Sequence, residues 1–195
     1  MTVVVITPPA EIIDLDTAKA HLRVDHADDD ALIEAFVGAA TSWLDGPSGW
    51  LGRSLGLQTL EARFDRFDCD FLALPYGPIV DIVSVRYDDA DGVEQTVASV
   101  DYTLQPGGVR AAYAAAWPSP RSYAGAVRVR YRAGYAINPD AVPVVENVPA
   151  AIKAAILLMV GNLYANREAV SVGNAVVELP FGVEALLSPF RVWSL

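Results

Sequence analysis

The sequence predicts an α+β protein: a small helical bundle with an inserted antiparallel β-domain and an extended C-terminal tail. Three observations carry that prediction. Apolar residues recur at helical spacing in two well separated stretches, 33–44 and 150–166. Between them, over 57–135, the period falls to two and turn residues separate short β-branched runs. Beyond 166 the chain stays apolar but is cut by prolines and keeps no long period. The expected parts are an N-terminal helical part (1–56), the inserted β-rich domain (57–135), a central helix completing the bundle (136–166) and a C-terminal docking tail (167–195), which either packs back on its own domain or docks on a partner.

Asp14-Leu15-Asp16-Thr17 supplies capping oxygens ahead of Ala18–Leu22, which predicts a short first helix. Asp28, Asp29 and Asp30 precede a longer one in which Ile33, Phe36, Val37, Ala40 and Leu44 mark one face. Gly46-Pro47-Ser48-Gly49 ends it. From Leu57 a strand places Leu60, Ala62 and Phe64 on one side and Thr59, Glu61 and Arg63 on the other. Further strands are expected at 71–74, 80–87 (Val83, Val85 and Tyr87 inward), 94–97, 102–105 and 126–132, with Asp91-Gly92 as a hairpin turn. The stretch from Pro106 to Gly125, which holds Trp117-Pro118, is too long for a bare loop and is expected to reach a neighbour. Pro149 opens a third helix, apolar almost all round, which by that pattern is expected to be buried on every side. The helical parts on either side of the β-rich segment are expected to meet in space.

Hydrophobic residues make up 53% of the 195, above the usual range of about 45–50%, and charged residues 19%, below the usual ~25%. A chain of this size has limited interior, so the surplus points to a second burial surface between subunits. The third helix is shorter than a bilayer span of about 20 residues and is interrupted by Gly161-Asn162, so no membrane partner is expected. The N-terminus shows no basic leader or small-residue cleavage site, which leads to an expectation of cytoplasmic origin.

Each fragment suggestive of chemistry fails on context. Gly52-Arg53-Ser54-Leu55-Gly56 matches the letters of a nucleophile elbow, but a helix precedes and a strand follows, the reverse of what the elbow needs. Both histidines, His21 and His26, come before that serine, and they are five apart, off a common helical face. With Cys69 they make no zinc set, and Asp68 and Asp70 would raise rather than lower that thiol's pKa. Asp88-Asp89-Ala90-Asp91-Gly92 is acidic enough for calcium, yet Tyr87 and Ala98 occupy the first and last ligand positions of an EF-hand register. The acids from Asp25 to Asp30 suit the first turn of a helix. No enzyme activity, cofactor or metal is expected.

Charge is unevenly distributed. The net −10 disfavours tight binding of nucleic acid, whose affinity comes mainly from Lys and Arg. Between Tyr102 and Pro139 there is no acid and five arginines, whereas residues 1–101 carry 19 acids against 6 bases. In a head-to-tail ring one subunit's basic flank can face the next one's acidic flank. Arg128, Arg130 and Arg132, with Trp117, are therefore the expected subunit-interface residues.

The chain also resembles a known family. Leu15-x-x-Ala18-Lys19-x-His21-Leu22-Arg23-Val24-x-x-x-x-Asp29-Asp30-x-Leu32-Ile33 is similar to the opening signature of the head-tail connector (adaptor) proteins of long-tailed phages, prophages and gene transfer agents. Later blocks agree in order: Gln58-Thr59, Leu74-Pro75-x-x-Pro78-Ile79, Val127-x-Val129-x-Tyr131-x-Ala133-Gly134-Tyr135, Val148-Pro149-x-x-Ile152, Tyr164-x-Asn166-Arg167-Glu168 and Leu186-Leu187-x-Pro189-Phe190-Arg191.

The resemblance implies a non-enzymatic structural protein assembled as a dodecameric ring in the particle neck, below the portal protein and above a stopper or tail-completion protein. DNA would pass through the ring without specific binding. It also implies that the C-terminal segment docks on the portal, with Leu179, Phe181, Leu186, Leu187, Phe190 and Arg191 as the expected contacts. A cut after Gly182 is then expected to leave a folded domain that cannot dock. The alternative is another neck or tail component, such as a stopper or tail terminator, which would be β-dominated. The Ala-, Val- and Gly-rich composition suits a high-GC bacterial genome, and with it a phage, a prophage or a gene transfer agent.

Overall fold

The structure is a computed structural model and describes residues 1–67, 70–113, 115–141, 145–166 and 181–193. Strands β1 (Thr2–Thr7), β2 (Gln58–Phe64), β3 (Phe71–Ala73), β4 (Ile79–Asp88), β5 (Glu94–Thr96), β6 (Tyr102–Gln105), β7 (Gly108–Ala111), β8 (Val127–Ala133), β9 (Ala136–Asn138) and β10 (Val145–Glu146) accompany four helices. These are α1 (Leu15–Leu22), α2 (Asp30–Leu44), α3 (Ala150–Ala165) and α4 (Phe181–Leu187). The chain divides into a β unit, residues 1–10 and 53–146, and a helical unit, residues 11–52 and 147–195.

The β unit is built on a five-stranded antiparallel sheet in the order β1-β2-β8-β4-β5, with a three-stranded sheet β3-β7-β6 sharing its core. Alternation fixes which side is which. On β2 and β8, Leu60, Ala62, Val127, Val129, Tyr131 and Ala133 are buried and meet Leu72, Leu74 and Val109 from the smaller sheet. Tyr131 is fully buried, and its hydroxyl donates to the Pro75 carbonyl at 2.8 Å. That burial pushes the phenol's pKa well above its ordinary value.

One local detail differs from the sequence pattern. Val83, expected inward, is 51% exposed. The register against β8 shifts between Ile82 and Ser84, so Val83 is the extra residue of a bulge and leaves the core alternation. Gly56 does not have a left-handed φ. It is required instead by close approach, because a Cβ there would stand 2.2 Å from the Ala10 carbonyl oxygen. β1 and β7 were not legible as strands. β1 pairs with β2 from Thr2↔Arg63 onward, with its register breaking between Val5 and Thr7, and β7 lies within the irregular Pro106–Gly125 stretch.

In the helical unit the Asp14 carboxylate caps α1, accepting from the Thr17 backbone N–H at 2.6 Å, and this bond holds its pKa below the usual carboxylate range. α2 buries Ile33, Val37, Ala40 and Leu44 and packs on α3, bringing the two helical parts together as expected. Lys19 bonds Asp30 at 2.5 Å, and the Tyr164 hydroxyl donates to Asp29 at 2.5 Å. α3 buries Ile152, Ala155, Ile156 and Val160, yet Leu158 is 44% exposed. The helix expected to be covered all round therefore keeps one apolar face open in the single chain. No helix among the described residues is long and apolar enough to cross a membrane.

Candidate functional site

The arginine stripe on β8 lies on the sheet face opposite the core. Because β8 sits between β2 and β4, acids on both neighbours fall beside it. Glu61 bonds Arg130 at 2.8 Å and Arg63 at 2.9 Å. Arg128 bonds Asp88 at 2.5 Å and Glu94 at 2.9 Å, and Glu94 also takes Arg86 at 2.9 Å. Arg132 is held by Asp81 and, at 2.7 Å, by Asp140. Five arginines thus meet five carboxylates in a ladder with no net charge.

Burial opposes ionisation of Glu61, but hydrogen bonds from Arg130 and Arg63 outweigh it and hold the carboxyl below its ordinary range. Asp88 is lowered first by its hydrogen bond from Arg128, and the Arg128 and Arg132 guanidiniums are raised in return, by the hydrogen bonds they donate to Asp88 and to Asp81 respectively.

Of the expected subunit contacts, Arg128, Arg130 and Arg132 are ion-paired within the chain. Each has its counter-charge within the chain, so the stripe is not a free basic flank. The physical reason is register: the partners come from positions 61, 81, 88, 94 and 140, which only strand pairing brings alongside. Arg110 and Arg121 are the exposed cations of that segment. Trp117 is half-buried, stacked on Phe67 at 4.8 Å between ring centres, with its indole N–H donating to the Asp70 carbonyl at 3.3 Å. Beside it lies an open cleft of about 910 Å³ walled by Phe64, Phe67, Trp117, Pro118, Pro120 and Tyr123. Among the described residues, no histidine or cysteine lines it.

Ser54 and Asp89, both weighed for chemistry, sit in structural settings. Ser54 is fully buried and its Oγ has no hydrogen-bond partner among the described residues, so it is not positioned as a nucleophile. Asp89 accepts from the backbone N–H groups of Asp91 and Val93 and from the Gln95 amide, closing the β4–β5 hairpin. Among the described residues no group of acids, histidines or cysteines is placed to hold a metal. Cys69 lies outside the described residues.

The C-terminal segment is more ordered than its prolines suggested. α4 packs on α3 and inserts Val183 and Leu187, both fully buried, into the helical core. A 3-10 turn, Ser188–Phe190, follows, and the Val192 N–H then donates to the Leu51 carbonyl at 2.9 Å. Of the expected docking residues, Leu186, Phe190 and Arg191 are half-buried, Leu187 is a core residue, Phe181 opens α4, and Leu179 lies outside the described residues. Cutting after Gly182 would remove two core side chains, so that truncation does not isolate docking from folding.

Sequence reasoning missed the aromatic group beside the segment's end. Trp43 at the end of α2 stacks on Trp50, with ring centres 5.8 Å apart and planes 15° apart. The Arg191 guanidinium carbon lies 4.1 Å from the centre of Trp50 and 3.9 Å from that of Trp193. Trp50 and Arg191 are 141 positions apart in the chain, so no local pattern could have paired them.

The sequence profile of the phage gp6-like head-tail connector proteins matches residues 12–65. No curated protein sequence matches the chain. In fold it is similar, over 100% of its length and 97% of the other chain, to a chain in the neck of an empty gene transfer agent particle computed with C6 symmetry, with a TM-score of 0.76 and 21% identity. A chain in the virion of the native gene transfer agent particle matches with the same coverage and TM-score at 22% identity. A chain in the neck of the native particle computed with C12 symmetry matches over 96% of this chain and 97% of that one, with a TM-score of 0.65 and 24% identity. This chain thus carries the phage head-tail connector signature over residues 12–65 and, over its whole length, the fold of a gene-transfer-agent neck subunit.

Proposed function

We propose that the protein is a structural adaptor that forms a ring in the neck of a phage or phage-like particle, joins head to tail and gives DNA passage. The observation that carries this reading is the likeness of the whole chain, end to end, to chains in neck assemblies, with a connector signature in its first third. The partly uncovered α3 supports it, since a helix of this composition leaves apolar surface for a neighbouring copy. The balance of helix and sheet favours an adaptor over a stopper or tail terminator, which would be β-dominated.

The ring is taken to be dodecameric and the head-side partner to be the portal protein, with a stopper or tail-completion protein on the other side. Assembly takes place in the bacterial cytoplasm. Portal docking is assigned to the C-terminal segment through Leu186, Phe190 and Arg191, with Leu179 and Phe181 also assigned to it and Leu187 holding α4 in place. The acidic character of the chain lets DNA slide without adhering, because like charge keeps the DNA counterions in place.

The test is co-sedimentation of the full-length protein with purified portal rings. Leu186→Asp and Phe190→Ala should abolish co-sedimentation while leaving the melting temperature within a few degrees of the parent. Unimpaired binding by the double variant would overturn the docking assignment.

A further inference from the structure

We propose that Arg191, clasped by Trp50 and Trp193, is a receptor for a single carboxylate presented by a protein partner. This deepens the docking role given to Arg191 above by naming the group it takes, and rests on that reading only for the identity of the partner.

The helical unit carries 12 acidic against 5 basic residues, a net −7, yet Arg191 has no carboxylate partner among the described residues. Its only charge-related contacts there are the two indoles, at 4.1 and 3.9 Å. The contrast with the β unit is direct, because every arginine of the β8 ladder is neutralised. The guanidinium carbon lies over both rings, so indole surface shields the planar cation from above its plane. What stays available is the edge, a rigid fork of N–H donors whose geometry matches two coplanar oxygens.

The fork is held rather than floppy. Trp50 is braced by Trp43, and the segment bearing Arg191 is tied back by the Val192 N–H to the Leu51 carbonyl and by the Arg191 N–H to the Ser188 carbonyl. Gly52 lets Val192 approach, since a Cβ there would lie 2.9 Å from the Val192 carbonyl oxygen. Preorganisation of this kind removes the ordering cost an ordinary surface arginine meets on binding. Around the fork, Trp193 is 71% and Trp43 40% exposed, the aromatic-plus-arginine composition that dominates binding energy at protein interfaces.

Chemistry chooses the ligand. Indole faces carry the negative side of the ring quadrupole, so a group entering between them does best with its charge in the plane of the guanidinium. A carboxylate keeps both oxygens in that plane, whereas a phosphate points others at the rings. The surrounding −7 charge further disfavours a nucleic-acid backbone, whose phosphates come in a dense row, over one carboxylate on an otherwise neutral or basic protein surface.

The experiment titrates isotope-labelled full-length protein, at constant ionic strength, with the capped peptide acetyl-Ala-Glu-Ala-amide, its Gln analogue and inorganic phosphate. The readouts are the Arg191 Nε–H and the indole N–H resonances of Trp50 and Trp193. The Glu peptide should move all three saturably, and the Gln analogue should bind about tenfold more weakly or worse. In Arg191→Gln the indole shifts should vanish, and in Arg191→Lys, which keeps the charge but loses the fork, they should weaken strongly. Equal or tighter binding of phosphate would overturn the choice of carboxylate, and no saturable shift with any probe would overturn the site.

Discussion

Glu61 is 5% exposed between two guanidiniums, and its position illustrates what individual residues contribute. Taking its charge away leaves Arg130 and Arg63 without their counter-ion. Glu61→Gln should therefore cost about 2 kcal/mol of stability in urea unfolding, in the range for a charged hydrogen bond lost from a desolvated site. A loss below about 0.5 kcal/mol would mean that water replaces the bond at little cost. Ser54 behaves in the opposite sense. Its buried hydroxyl has no partner among the described residues, so Ser54→Ala should leave stability unchanged or raise it by up to about 1 kcal/mol. A clear loss in the same assay would point to a bond that the structure does not contain. The sequence could show that Ser54 lacks the setting of a nucleophile, but not that it is buried. Glu61 gave no signal at all, because in a strand of period two it looks like any solvent-facing acid.

Among the elements, the ionic face of the five-stranded sheet should set the acid limit of the protein. Asp14, Glu61, Asp88 and Asp89 all have carboxyl groups held below their ordinary range in the folded state. A depressed folded value stabilises above the unfolded pKa and is lost as pH falls through the folded one. Thermal melts should therefore be level from neutral pH down to about 5 and fall steeply below about 4. A midpoint that fell between pH 7 and 5 would contradict this. Helix α3 carries a separate prediction. Leu158 is open to solvent in the single chain, so Leu158→Glu should change monomer stability by less than about 0.5 kcal/mol while weakening self-association in sedimentation velocity. The helices, the core strands and the Asp91-Gly92 hairpin were readable because period and turn chemistry are local. β1, β7 and α4 were not, because each is fixed by partners far along the chain: β1 by β2, β7 by β3 and β6, and α4 by α3.

The whole molecule has a sheet whose outer charges cancel within the chain and a helical unit that keeps net charge, an open apolar face and an exposed aromatic end. The α+β class and the likeness to connectors were legible because many weak blocks occur in order, whereas the surfaces that meet partners depend on which charges are already paired. Arg128, Arg130 and Arg132 were visible and are internally satisfied; Arg191 was visible, but its indole clasp was not. The most direct test of the ring-forming neck adaptor is electron microscopy of the purified full-length protein, alone and mixed with a purified portal ring. The account predicts closed rings with a central channel, stacked coaxially on the portal in the mixture. A protein that remains monomeric in both samples and leaves the portal undecorated would contradict it.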